Sequence, residues 1–366
     1  MRYLPENVIH SPLPITPTSE PNVLPFAPSS SKPGHGTIDL ALLPPSTPVL
    51  RTLSYQYPLK LIAPSPLFVP SSDPSGSSLI HTVFLLTYGG GILAADVLNL
   101  TIRLAPTTRL ILLTQGSTKI FKAPSRDVLS AQRMTVSLAP GSALVYLPDP
   151  VQPFADSVFE QAQVYEIPAL GSGGEGEGEG ASLCVCDWVT RGRGARGENW
   201  DFWKYGSRNE VWAVGAGEGQ KGRRLLLRDN VVLDAKGGAG TGSVGTAARM
   251  DGLGVFGTLI LRGPVFEGLG KYFMDEFEKL PRIGARKWDG QVDEVDVSDE
   301  DVRGKRRQKQ EVSDGLLWTA ASVRGFVLVK FGAKEVEGAR MWLSSMLKAE
   351  GSVERNFGER ALLCLR

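Results

Sequence analysis

Apolar and polar residues alternate over most of the chain beyond residue 50. Between Leu98 and Leu104, for example, every second residue is leucine or isoleucine, and the residues between them are polar. This period of two is the pattern of a β-strand with one buried and one solvated face. We predict strands at 53–59, 81–88, 98–104, 108–115, 134–138, 143–147, 158–167, 183–189, 198–202, 210–214, 223–233, 255–261, 316–323 and 326–330.

Helical periodicity is confined to two segments. Near the C-terminus Val336, Ala339, Leu343, Met346 and Leu347 repeat at the spacing of one helix face. A second amphipathic segment covers 269–280 and ends before a proline. About a dozen strands without helices between them favour stacked sheets, a sandwich or a solenoid-like winding over alternating strands and helices. The predicted fold class is mainly β with about two helices, one of them near the C-terminus.

Four segments lack an apolar face to bury. Residues 1–36 are rich in proline and serine, 171–180 alternate glycine and glutamate, 236–245 are rich in glycine, and 289–310 change from acidic to basic. Such segments cannot bury enough apolar surface to offset the entropy lost on folding. We predict a disordered arm at 1–36 and a single β domain at 37–366 with flexible inserts at 171–180, 236–245 and 289–310.

Composition narrows the class of function. The chain of 366 residues has 40 Lys and Arg against 39 Asp and Glu, and its net charge of +1 provides no global field for nucleic acid or an anionic membrane. Three cysteines cannot form an even disulfide framework, which favours a reducing compartment. The N-terminus resembles no secretory signal, and no apolar run approaches the roughly 20 residues of a membrane span. We expect a soluble, cytoplasmic protein.

The segment 186–202 contains the densest group of residues suited to chemistry. Two tryptophans, three arginines and the carboxylates of Asp187 and Glu198 surround a glycine-rich tract. Strands on both sides of the tract predict a hairpin in which the two acids are diagonal neighbours on one face, roughly 7 to 8 Å apart. Such a pair could line a polar channel or hold a cation. A slip of one residue would separate them, and the acids could instead pair with the arginines on a surface hairpin.

Two further tracts combine turns with polar side chains. Gly89 and Gly90 belong to a run of three glycines, and Asp96 opens the strand that follows, either as a functional carboxylate or as an Asx-type turn residue. The strand at 108–115 ends in polar groups from Gln115 to Lys119 that could bind across a surface.

Other motifs argue against several enzyme classes. Cys184 and Cys186 could ligate a soft metal, but residues two apart in a strand share a face, and a core position is favoured. Three GxGxxG matches lack the helix of a dinucleotide site, and no GxxxxGK[ST] is present. A β-solenoid carbohydrate-active enzyme stays an alternative, with Asp187 and Glu198 as acid and base, because hydrolysis needs carboxyl groups roughly 5 to 9.5 Å apart.

Further residues of the same kind follow in order along the chain and are Gln132, Trp188, Arg193, Gly197 and Trp200. Together with the tracts described above, they resemble the urease accessory protein D (UreD, also called UreH) family over about residues 37–275, with weaker likeness toward the C-terminal helix. Several motifs in matching order are more specific than any one of them. The sequence departs from the family at Ala94 and Ala95, where many members have glycine. The residues that carry the resemblance are Gly89, Gly90, Asp96, Gln115, Lys119, Gln132, Asp187, Trp188, Arg193, Gly197, Glu198 and Trp200.

The resemblance implies a non-enzymatic scaffold with a largely β-helical fold. Family members bind the urease accessory protein F, through it the GTPase accessory protein G, and apo-urease. Nickel is thought to pass through a tunnel in the protein, so Ni²⁺ is expected as a transient ligand of Asp187, Glu198 and Asp96. The remaining nine motif residues are expected to bind partners or to mark the family. Weak, multiple carboxylate sites suit an ion that must also leave.

Overall fold

The structure is a computed structural model that describes residues 32–70, 77–169, 180–215, 222–235, 245–280 and 299–366. Strands account for most of it. In chain order they are β1 (His35–Leu43), β2 (Thr47–Tyr55), β3 (Leu59–Ile62), β4 (Leu67–Pro70), β5 (Ser77–Thr87), β6 (Gly91–Ile92), β7 (Val97–Leu104), β8 (Arg109–Leu113), β9 (Thr118–Ile120), β10 (Ser130–Leu138), β11 (Ala143–Tyr146), β12 (Val151–Pro153), β13 (Val158–Pro168), β14 (Ser182–Thr190), β15 (Lys204–Val214), β16 (Arg223–Asp234), β17 (Val255–Arg262), β18 (Leu317–Val323) and β19 (Phe326–Ala333).

Helices are concentrated in the C-terminal third of the described chain. They are α1 (Thr246–Arg249), α2 (Glu267–Glu278), α3 (Asp299–Ser313), α4 (Val336–Glu350) and α5 (Ser352–Phe357). Short 3-10 segments lie at Tyr88–Gly90, Gly194–Arg196, Pro264–Phe266 and Glu359–Leu365. Within the described ranges, none of these helices combines the length and the apolar character needed to cross a membrane.

The chain winds between two sheets. From β7 to β15 it places strands alternately in a seven-stranded sheet, ordered β16-β15-β13-β10-β7-β1-β2, and in a larger sheet whose main path is β18-β19-β17-β14-β11-β8-β5-β3. The successive strands of each sheet pair in parallel, as β7 with β10 and β8 with β11 do. Antiparallel strands close both ends of the winding. This confirms the mainly β, irregular β-helix-like stack of sheets.

Two apolar cores result from this arrangement. One lies between the sheets, and the other lies between the larger sheet and the helices. Strand β14 belongs to both, since Leu183, Val185 and Val189 face the first core while Cys184, Cys186 and Trp188 face the second. Asp187 therefore shares its face with the residues that point between the sheets.

The predicted helices are confirmed, and the stripe near the C-terminus is a core face. Ala339, Leu343, Met346 and Leu347 of α4 are fully buried. Helix α2 begins and ends within two residues of the segment predicted at 269–280. The alternation at Leu98–Leu104 likewise becomes β7, whose leucines and isoleucine are buried.

Three predictions about irregular segments need correction or lie outside the described residues. Folded chain begins before residue 37, because His35 and Gly36 pair with β7 in β1. Helix α3 occupies residues 299–310, where we predict a flexible insert, because Arg307 pairs with Glu276 of α2. Residues 1–31, 289–298 and nearly all of 171–180 and 236–245 lie outside the described ranges.

Candidate functional site: a polar layer between the sheets

A layer of polar side chains interrupts the apolar core between the two sheets. The smaller sheet supplies two rows of register partners. These rows are Gln132, Gln161 and Ser207, and then Gln163, Asn209 and Asp229. All six are buried. Each lies on the same side of its strand as apolar core residues, as Gln161 does between Phe159 and Tyr165, so the side chains point toward the larger sheet.

The larger sheet contributes a third row. Asp187 on β14 is the register partner of Thr258 on β17, and Thr258 is the partner of Lys330 on β19. Thr258 is buried, and the side chain of Lys330 is 37% exposed. We call these nine residues the polar layer. Since unpaired polar groups are costly inside a protein, the layer is expected to serve a purpose other than stability.

Asp187 is held by neutral donors from the smaller sheet. Gln161 donates from Nε2 to Asp187 Oδ1 at 2.6 Å, Asn209 donates from Nδ2 to Asp187 Oδ2 at 2.7 Å, and the hydroxyl of Ser207 also donates to Oδ2. Burial raises the pKa of Asp187, these donors lower it in part, and the carboxylate of Asp229 raises it again. The site therefore holds an acid whose charge is costly unless a cation is near.

A lysine closes the far side of the layer. Lys330 Nζ lies 2.7 Å from Asp229 Oδ1 and 3.1 Å from Thr258 Oγ1. Its partly exposed side chain connects the interior to the surface. The layer thus runs from Gln132 through Asp187 to a charged residue that reaches solvent.

Two neighbouring cavities lie beside the polar layer, and Asp187 lines the inner one. The inner cavity has a free volume of about 10 Å³, and its lining includes Gln132, Gln161 and Asp187. This is roughly the space of one water molecule. The outer cavity, of about 60 Å³, is lined by the loop from Gln115 to Thr118 and shares Thr118 and Gln132 with the inner one. Thr118 and Gln132 therefore lie between the outer opening and the space beside Asp187.

The predicted hairpin of Asp187 and Glu198 is wrong. Strand β14 pairs antiparallel with β17, and residues 198–202 form no strand. The glycine-rich tract folds into a 3-10 turn whose last position, Gly197, has a left-handed backbone with φ of 81°. This conformation suits glycine. It turns the chain back locally instead of extending it as a second strand.

Glu198 serves that turn. Its carboxylate accepts bonds from the backbone of Arg193 at 2.7 Å and from Nε of the same arginine at 2.8 Å. Burial alone would raise the pKa of Glu198, but these bonds lower it below the ordinary value. Arg193 also stacks 4.0 Å above the ring of Phe154. Glu198 is therefore engaged by Arg193 within the loop.

Asp96 also has a local partner. Its Oδ2 accepts the backbone N–H of Leu93 at 2.9 Å, and its own N–H donates to the carbonyl of Leu93. This is the turn role given above as the alternative to a functional carboxylate. The described residues contain no group of three His, Cys, Asp or Glu placed to hold one metal ion.

The other predicted residues divide between the outer cavity and structural contacts. Gly90, Gln115 and Gln132 line the cavity, Gly89 lies beside it in the Tyr88–Gly90 turn, and Lys119 is an exposed residue of β9. Such an opening could receive a ligand or a partner. Trp188 and Trp200, by contrast, are buried anchors.

Hydrogen bonds from their indole rings hold Trp188 and Trp200 in place. Trp188 donates from Nε1 to the carbonyl of Pro148 at 2.8 Å, and Trp200 donates from Nε1 to the carbonyl of Leu253 at 2.9 Å. Cys184 and Cys186 are free and buried in the core beneath the helices, as favoured above, and burial raises the pKa of both thiols. These residues therefore hold β14 and the following loop in place.

Sequence reasoning missed most of the polar layer. The predicted site lacks Gln161, Ser207, Asn209, Asp229 and Lys330, although a signal exists in β13. The odd-numbered residues of β13 form one face of the strand and are Phe, Gln, Gln, Tyr and Ile in order. Two amide side chains therefore lie among core residues. Polar side chains on an otherwise apolar face indicate a buried network.

Comparison with known proteins identifies relatives. The sequence profile described as UreD urease accessory protein matches residues 34–363. "Urease accessory protein 4" of Cryptococcus neoformans is 29% identical over 83% of this chain and 86% of its own length. An "uncharacterized urease accessory protein ureD-like" of Schizosaccharomyces pombe is 27% identical over 79% and 84%. "Urease accessory protein D" of indica rice is 30% identical over 63% and 66%.

Proposed function

Because the chain belongs to the UreD family of urease accessory proteins, we propose that it is a scaffold and metallochaperone that conducts Ni²⁺ to apo-urease during urease maturation. It binds the accessory protein F, the GTPase accessory protein G and apo-urease, and it carries out no catalysis of its own. It acts in the cytoplasm, which agrees with three free, buried cysteines.

The observation that carries this proposal is the polar layer reached by the two cavities. Asp187 is 8% exposed and, within the described chain, forms no ion pair with an arginine or lysine. An apolar residue of similar size would be expected to stabilise the core more. A buried acid without a fixed counter-charge is instead suited to a mobile cation, since carboxylate and amide oxygens bind hard and borderline divalent ions.

The neutral residues around Asp187 keep binding weak. Gln161, Ser207 and Asn209 orient the carboxylate, and Gln132 and Gln163 also line the inner cavity. An ion can then exchange one oxygen for the next with no step that binds it tightly. Conduction requires this balance between entry and release.

The mouth of the outer cavity is suited to partner docking. Tyr57 is 63% exposed and Tyr88 is 43% exposed, and their ring centroids lie 5.6 Å apart. Tyr88 directly precedes Gly89 and Gly90, so the aromatic pair adjoins the opening. Aromatic residues are enriched in the cores of protein interfaces. A partner bound there could deliver the ion without releasing it to solvent.

The test is reconstitution of urease activation from purified components. Asp187→Asn removes the charge while keeping the shape, and Asp39→Asn is a matched control, because Asp39 is a buried acid that pairs with Arg51 outside the layer. We expect Asp187→Asn to capture proteins F and G normally and to activate urease poorly, with Asp39→Asn active. Full urease activation by Asp187→Asn would contradict the proposed conduit. Loss of binding to proteins F and G would show that Asp187 has a structural role.

A further inference from the structure

Beyond Asp187, two buried oxygens lack a hydrogen-bond donor among the described residues. Asn209 is 1% exposed and Asp229 is 8% exposed. Among the residues that the structure describes, Asn209 Oδ1 and Asp229 Oδ2 find no donor. The two residues are register partners on β15 and β16, so their side chains leave the sheet side by side. Buried acceptors without donors are costly, and a cation between them would remove that cost.

One cation already reaches this position. The ammonium of Lys330 contacts Asp229 Oδ1 at 2.7 Å and Thr258 Oγ1 at 3.1 Å, and it leaves Oδ2 without a partner among the described residues. The ammonium also lies 5.7 Å from the ring centre of Phe256. A lysine has a flexible four-carbon stem and a single point charge. Since the side chain of Lys330 is partly exposed, it can move to solvent without disturbing β19.

From this arrangement we propose that Asn209 and Asp229 form a second station for a divalent cation, and that Lys330 is a built-in cation that competes for it. This inference rests on the proposed function and adds how the ion is released. An ion that moves from Asp187 to Asp229 displaces the ammonium. The returning ammonium then neutralises Asp229 and expels the ion toward the exposed side of the layer.

The layout of the layer supports a relay between the two acids. Asn209 donates its amide to Asp187 and shares a register position with Asp229. The carboxylate of Asp229 is also close enough to make the charged form of Asp187 less favourable. Two nearby anions bind one divalent ion but repel each other when it leaves. A lysine at the second acid relieves that repulsion each time the station empties.

Equilibrium dialysis of the full chain against Ni²⁺ at low ionic strength tests the role of Lys330. Lys330→Met removes the competing charge, and Lys204→Met is the matched control. Lys204 is 36% exposed and contacts Glu160 at 2.6 Å outside the layer. We expect Lys330→Met to bind Ni²⁺ about tenfold more tightly, because a repelling unit charge a few ångströms away is gone, and Lys204→Met to bind as the unaltered chain does. The double variant that combines Lys330→Met with Asp229→Asn should not show this increase in Ni²⁺ affinity.

Two results would overturn the inference. One is an unchanged affinity in folded Lys330→Met, and the other is a gain that persists in the double variant. Lys330→Gln, which retains a donor for Asp229, replaces the Met variant if thermal unfolding shows that the latter is not folded. The proposed conduit is tested by a different experiment, since normal urease activation by Asp187→Asn would contradict it. The failure of the role of Lys330 and the failure of the conduit are therefore distinguishable.

Discussion

Asn209 donates from Nδ2 to Oδ2 of Asp187 at 2.7 Å, and this bond joins β15 of the smaller sheet to β14 of the larger one. Gln161 and Ser207 approach the same carboxylate from the smaller sheet. The acid is therefore fixed in position by neutral groups and is not neutralised by an ion pair within the described chain. This combination of fixed position and free charge distinguishes Asp187 from Glu198, which Arg193 neutralises.

Stability should depend on pH through Asp187. Because the folded-state pKa is raised, the native chain binds the proton more tightly than the unfolded chain, whose ordinary value is about 3.9. Stability therefore falls as pH rises from that value through the folded-state pKa. Thermal unfolding between pH 4 and 8 should show that the stability of Asp187→Asn increases relative to that of the unaltered chain as the pH rises. A stability difference that does not change with pH, or a variant that loses stability relative to the unaltered chain as pH rises, would contradict the raised pKa.

Replacing Glu198 should affect the loop and not the passage of ions. Glu198→Gln weakens the charge-assisted bonds from Arg193, and such bonds contribute about 1.5 to 3 kcal/mol each. We expect the free energy of unfolding to drop by about 2 kcal/mol, measured by urea denaturation, with nickel delivery retained at temperatures where the variant is folded. Unchanged stability together with lost delivery would return Glu198 to the path of the ion.

Trp188 should be a stability residue despite its place in the family motif. It is 1% exposed, packs beside Phe331 and bonds to the carbonyl of Pro148. Trp188→Ala should lower the free energy of unfolding by about 3 to 5 kcal/mol, since it leaves a large cavity. Trp188→Phe should lower the free energy of unfolding by a smaller amount. If Trp188→Ala denatures like the unaltered chain but fails to capture protein F, the tryptophan has a binding role instead.

Gln161 should position Asp187 for the ion. Gln161→Met keeps an unbranched side chain of similar length and removes the donor to Asp187 Oδ1. Loss of such a supporting bond is expected to slow urease activation about tenfold. Gln152→Met is the control, because Gln152 bonds only weakly to the carbonyl of Gly192 in the loop, at 3.3 Å. Equal activation rates for the two variants would show that the orientation of Asp187 is unimportant.

The fold could be predicted where burial follows a simple period. The alternation at Leu98–Leu104 and the stripe of α4 each reflect one apolar face against a core. Helix α3 could not be predicted this way because its contacts are polar. Arg307 pairs with Glu276, and Glu311 accepts the indole N–H of Trp342 at 3.0 Å. Such pairing depends on tertiary structure, which composition does not reveal.

The site could be predicted only in part. The residues around Asp187 in the chain point to it, but its hydrogen-bond partners lie 20 to 26 residues away in sequence, on strands of the other sheet. The error with Glu198 came from assuming a hairpin, because two short apolar segments around a glycine-rich tract predict adjacent strands. The β-helical winding instead places the next strand, β15, in the opposite sheet.

The most direct test of the conduit is the nickel content of urease after transfer. Apo-urease is incubated with the nickel-loaded GTPase partner, protein F and either the unaltered chain, Asp187→Asn or Asp39→Asn. Urease is then repurified, and its nickel is counted by mass spectrometry. The account predicts that Asp187→Asn assembles the complex yet transfers at least about tenfold less nickel, while Asp39→Asn transfers normally. Equal nickel contents for all three chains would contradict it.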